Sequence, residues 1–214
     1  MFGDLDKSLE NLLKQNLAPD LVKSVAISFD PPDSKFPPAW IKLPAINLFL
    51  YTALENLELR NTEWMWEKGK ADTGSVKKPQ VQIECSYIIT AWTSDSSPNH
   101  MLEEHRLLGQ AMKSLLKGRT FPRDSLYGSL KDGTATIIRA VALQPEHFSM
   151  GPFWQAMGVK PRVAVNYQIT LSVDIHTPEK TKEVRERELK LVNSRGSENI
   201  GERIRFDSSV QPDG

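Results

Sequence analysis

Between Val163 and Ile175, apolar and polar residues alternate without a break. Val163, Val165, Tyr167, Ile169, Leu171, Val173 and Ile175 hold one parity; Ala164, Asn166, Gln168, Thr170, Ser172 and Asp174 hold the other. A period of two predicts one long strand over 162–175, with a dry face and a wet face. Burying the apolar set would stabilise a sheet by about 1.5–3 kcal/mol per side chain, before the entropy of ordering is subtracted. This strand is the expected anchor of the fold. Just before it, Phe153 and Trp154 sit in a Pro- and Gly-rich connection and offer two rings to whatever covers the sheet.

The same reading runs along the rest of the chain. Leu5, Leu9, Leu12 and Leu13 form an apolar stripe at helical spacing, so 4–17 is predicted helical, with Asp4 and Asp6 at its positive end and Pro19 beyond it. Val25, Ile27 and Phe29 alternate within a strand over 21–29. Four prolines make 30–38 a loop. LPAINLFLY, 43–51, is apolar on both parities, as a strand covered on both faces would be. Residues 54–79 are charged and weakly periodic, which predicts a protruding hairpin or long loop, and 81–93 returns to a strand. Ser97 caps the next helix and Pro98 opens it; Met101, His105, Leu108, Met112 and Leu115 share one face, and Gly118 stops it. Residues 134–143 read as a strand, 146–157 as a short broken helix, and 180–192 as a charged edge strand or a helix.

This order predicts an α+β domain over 1–193: a mixed, largely antiparallel β-sheet with helices packed mainly on one face. Residues 194–214 lack a core-forming pattern and are expected to be a mobile tail.

Charge narrows the function classes. Lysine plus arginine equals aspartate plus glutamate, 27 each, whereas nucleic-acid binders concentrate positive charge. No nucleic-acid partner is expected. Zero net charge also permits close self-association. No apolar run approaches the ~20 residues of a membrane span. MFGDLDKSLE lacks the basic start and apolar middle of a signal peptide, so synthesis in a reducing cytoplasm is expected.

The search for reactive groups finds no catalytic, cofactor-binding or metal-binding set. Cys85, the single cysteine, is in phase with Val81, Ile83, Tyr87 and Ile89 and reads as a buried hydrophobe. GKADTGS, 69–75, has phosphate-loop glycine spacing but no lysine before Ser75 and no helix after it. His100 and His105 are five apart, not the four that zinc helices use, and His105 reads as a core or interface residue. His147 and His176 are isolated, and Gly128-Ser129 lacks the second glycine of a nucleophile elbow. Trp64 and Trp66 lie in the least core-like segment, where two tryptophans form either a satellite cluster or a contact surface.

Several segments together resemble a known family: LDKSLENLLKQNL, VAISFDPP, LPAINLFLYTALENLELRN, YIITAW, EEHRLLGQAMKSLL and FWQAMGVKPRVAVNYQITLSVDI. They are similar to the cap, or tail-terminator, proteins of extracellular contractile injection systems, over residues 1–190. The resemblance implies a tail-terminator-like fold and a non-enzymatic ring of six copies with no cofactor. Such a ring sits on the last layer of tail tube protein and sheath protein, away from the baseplate, and ends their polymerisation. It implies assembly in the cytoplasm as part of the particle, with no membrane insertion. The interface candidates are then Trp64, Trp66, Glu104, His105, Arg106, Phe153, Trp154, Val184, Leu189 and Leu191, with 180–192 as an edge that could accept a neighbour's strand. The other readings are a baseplate or adaptor protein of the same machine, a small hydrolase with an unrecognised site, and a monomeric binding module.

Overall fold

The computed structural model describes residues 1–60, 65–68, 73–96, 98–117, 121–133, 135–142, 150–176, 179–182, 186–192 and 198–205. The helices are α1 (Phe2–Asn16), α2 (Pro19–Ser24), α3 (His100–Lys117) and α4 (Met150–Met157). The strands are β1 (Ala26–Ser28), β2 (Ala45–Glu55), β3 (Met65–Lys68), β4 (Thr73–Lys77) and β5 (Val81–Trp92), then β6 (Ala135–Ala142), β7 (Val165–Val173), β8 (Glu179–Lys182), β9 (Glu186–Val192) and β10 (Glu198–Arg205).

The chain divides into two compact units, Met1–Asn61 with Gln80–Ile175, and Thr62–Pro79 with His176–Gly214. The inserted hairpin and the C-terminal strands group with each other, a pairing across a hundred residues that local patterning does not show.

The first unit holds a five-stranded sheet in the order β1-β2-β5-β7-β6. Only β1 and β2 are parallel; every other neighbouring pair is antiparallel. The sheet is thus mixed and largely antiparallel, as expected. On its first face lie Ile46 and Leu48 of β2, Tyr87 and Ile89 of β5, and Tyr167, Ile169 and Leu171 of β7. Leu5, Leu9, Leu12 and Leu13 of α1 and Leu107, Leu108, Ala111 and Leu115 of α3 pack on them. The α1 stripe is fully buried, as its spacing predicts. On the opposite parity, Ile88 and Phe49 meet Phe153 and Trp154 of α4.

Two elements depart from expectation. Residues 21–29 are not one strand: Pro19 stands at the first position of α2, where its missing N–H costs nothing, and only 26–28 pair with β2. In α3 the buried face is Glu104, Leu107, Leu108, Ala111, Ser114 and Leu115, while Met101 and His105 are exposed. The helix is rotated from the expected face, and Glu104, an interface candidate, turns inward to its partners Arg162 and Thr93.

In the second unit β3, β4 and β8 form an antiparallel sheet, and β9 and β10 form a hairpin with a register shift between Ile200 and Glu202. The 180–192 segment is therefore strand. Residues 198–205, expected in a mobile tail, pair with β9.

Candidate functional site

The polar centre of the first unit gathers where β5 ends, α3 begins and the chain approaches β7. Oε1 of Glu104 accepts a hydrogen bond from the Arg162 guanidinium at 2.6 Å and one from the Thr93 backbone N–H at 3.3 Å. Arg162 lies over the Trp92 ring, 3.9 Å from its centroid, and Phe36 meets the same ring at 4.6 Å. Glu104 is buried and Arg162 partly so. A carboxylate in that position needs its charge partner, since removing either half leaves an unpaired buried ion. The geometry is that of a rivet holding three elements together.

A second tie fastens the start of α1. The Asp4 carboxylate accepts hydrogen bonds from the Ser129 hydroxyl at 2.6 Å and the Ser129 N–H at 3.2 Å, and these hold its pKa below the usual value. Gly128, with φ of +52°, lies so close that a β-carbon there would overlap the Asp4 carboxyl group. Gly128-Ser129 thus serves structure, consistent with its lacking the elbow pattern. A third tie is the Tyr87 hydroxyl, which donates to Asp6 at 2.7 Å. Burial raises the Asp6 pKa, opposed by that hydrogen bond. Cys85 is buried beside them; burial, with the charges of Asp6 and Glu84, pushes its thiol up to about 11. A thiol so shifted stays protonated at neutral pH, the opposite of what a nucleophile needs.

Among the described residues no group of three or more His, Cys, Asp or Glu could hold a metal ion, and no helix is long and apolar enough to cross a membrane. Within 69–75, Thr73–Ser75 belong to β4, which continues as strand to Lys77 instead of opening a helix.

The interface candidates scatter. His105 and Arg106 are exposed on α3, whereas Glu104 belongs to the rivet. Phe153 and Trp154 are buried in a T-shaped pair at 5.1 Å, so they are themselves the cover of the sheet and not rings awaiting one. Trp64 and Val184 lie outside the described residues. Trp66 is on β3 opposite Val76, and Leu189 and Leu191 are on β9 opposite Glu202 and Asn199. Sequence reasoning missed Trp40, which is 77% exposed in the Pro-rich loop, and Leu54 and Leu57, both more than 60% exposed. The available signal for Trp40 was a tryptophan two residues after Pro38 with no strand or helix pattern around it.

The family model for the Pvc16 N-terminal domain matches residues 4–186. No curated protein matches the chain. Among solved structures, the chain is similar to the PVC sheath/tube terminator of an extracellular contractile injection system in its extended state, with 23% identity and a TM-score of 0.64. That match covers 99% of this chain and 65% of the other. It is also similar to the tube-terminating cap of the anti-feeding prophage, with 25% identity and a TM-score of 0.61, covering 86% of this chain and 59% of the other. The chain therefore spans less than two thirds of the length of either structure, and the first likeness is one of fold.

Proposed function

The chain belongs to the Pvc16 N-terminal domain family, and on that premise we propose that it is a structural cap of a contractile injection particle. Six copies form a ring that binds the baseplate-distal end of the inner tube and sheath and ends the growth of both. It assembles in the cytoplasm and stays on the particle. It works by surface matching, without catalysis. The observation that carries this reading is the family match over 4–186, supported by the likeness in fold to two tube-terminating caps.

The physics of the task suits such a domain. A growing tube or sheath exposes unpaired strand edges and apolar patches at its tip, and a stopper must match those without offering an equivalent set beyond. Exposed Trp40, His105 and Arg106 in the first unit are contact candidates, as are Trp66, Leu189 and Leu191 in the second. Within 180–192, β9 pairs only with β10 among the described strands, so its other edge is available to accept a neighbour's strand.

Electron microscopy of particles from a strain lacking this gene tests the reading. Overlong, uncapped or length-variable tails are expected. Intact particles of normal length would refute it. Complementation with a chain lacking 179–214 tests the edge: uniform lengths in that strain would remove β9 from the mechanism and leave the cap reading standing.

A further inference from the structure

A groove on the first unit runs beside α3 and meets the ties described above only at Thr93. Two cavities of about 370 and 350 Å³ adjoin there, and Gln110 lines both. Leu21, Val25 and Leu107 give the first its apolar lining, and Leu116 contributes to the second. The rims are charged and polarised. Asp20, Glu103 and Arg106 line the first cavity, and Lys113 and Lys117 line the second. Glu103 to Lys117 spans about 21 Å at 1.5 Å per helical residue, the length of a four-turn helix.

We propose that this groove holds an amphipathic helix of another polypeptide, lying antiparallel to α3. Helices favour acidic residues in the first turn and basic residues in the last, because each compensates the partial charge of its end. Antiparallel to α3, such a helix sets its acidic turn against Lys113 and Lys117 and its basic turn near Asp20 and Glu103. The parallel orientation would set like charges together. Its apolar stripe would meet Leu21, Val25 and Leu107, the usual mode of helix-in-groove recognition. The occupant does not come from the chain's own described helices. The stripes of α1 and α3 are spent in the core, α4 buries Phe153 and Trp154 on the opposite face of the sheet, and α2 is one wall of the groove.

The proposal is independent of the cap reading, because it is tested on the isolated full chain. Two synthetic 15-residue peptides share one leucine stripe; one carries Glu in its first turn and Lys in its last, and the other has these charges exchanged. Binding is followed by NMR titration. The first peptide is expected to shift the amide signals of Leu21, Val25, Leu107 and Gln110 and to bind about ten-fold tighter than the second, as a few exposed ion pairs allow. The exposed double substitution K113E/K117E is expected to reduce or invert that preference without loss of fold. Absence of shifts at these residues, equal binding of the two peptides, or a preference untouched by K113E/K117E would each overturn the proposal. So would self-association in sedimentation experiments that K113E/K117E abolishes, since the occupant would then be a second copy.

Discussion

The two faces of the main sheet are both buried at its centre, yet they are built from different materials. The first is mainly apolar, with α1 and α3 laid on Ile46, Leu48, Tyr87, Ile89, Ile169 and Leu171 and the Tyr87–Asp6 hydrogen bond as its polar exception. On the second, a patch of Ile88, Phe49, Phe153 and Trp154 adjoins strand residues that are polar and still buried: Asn47, Ser86, Thr90, Asn166, Thr170 and Ser172. Some of these are paired internally. Ser172 donates to Gln80 at 2.6 Å and accepts from Gln82 at 3.1 Å, and Thr90 accepts from the Trp92 indole at 2.8 Å. Alternation therefore tells which residues share a face. It does not tell whether a polar face is wet.

If the small aromatic patch secures the second face as the leucine stripe secures the first, Trp154→Ala should match a stripe truncation. Trp154→Ala should cost about 3–5 kcal/mol and Leu12→Ala about 2–5 kcal/mol in urea unfolding. A Trp154→Ala cost below about 1 kcal/mol would break the comparison and make α4 a dispensable cover. Next in size, Gly128→Ala should cost about 1–3 kcal/mol, because it forces a side chain into left-handed backbone against the Asp4 carboxyl. The same glycine substitution made in an Asp4→Ala background should cost less, leaving the backbone share; an equal cost in both backgrounds would show that contact with Asp4 is not the cause.

Smaller effects sharpen the contrast. Thr170→Val replaces a buried polar group on the second face with one of nearly equal shape, and should change stability by less than about 1 kcal/mol. A larger loss would mean that the polarity of this face is structural. The last prediction concerns pH. The Asp6 pKa is raised in the fold chiefly by burial, so the folded chain holds this proton more tightly than the unfolded one. The stabilising contribution of protonated Asp6 is complete below the ordinary carboxylate range and is lost as pH rises through the raised folded value. Asp6→Asn should remove that share of the pH dependence when urea midpoints are compared on either side of this range. An unchanged slope would place Asp6 outside the titration.

How far the fold was legible depends on whether its causes were local. Leu5, Leu9, Leu12 and Leu13 carry their own period, and α1 buries all four. Likewise the odd parity from Val165 to Leu171 faces the core, although Val163 and Ile175, at the ends of the pattern, are more than half exposed. The face of α3 was not legible, because what inverts the polarity of Glu104 is Arg162, 58 positions away. Pro19 lies beyond α1 as expected, but that it also opens α2 has no local sign. Phe153 and Trp154 were legible as large rings but not as cover, since that role depends on which face α4 reaches. The ties at Asp4 and Asp6 join residues more than 80 positions apart, and no spacing rule reports such a pair. The groove beside α3 was invisible for the same reason: its walls come from α2 and α3, and only folding brings Leu21 and Leu107 to one lining.

The five-stranded sheet has two open rims among its described strands. β6 leaves eight residues open on the side away from β7, with Arg139 as their only charge, and β2 leaves Leu48–Glu55 open beyond the three residues that pair with β1. In the language of polymer chemistry, a monomer with two good reactive ends extends a chain, and one with a single good end is a chain stopper. A stopper built on this sheet therefore needs one of its two rims covered in the assembly.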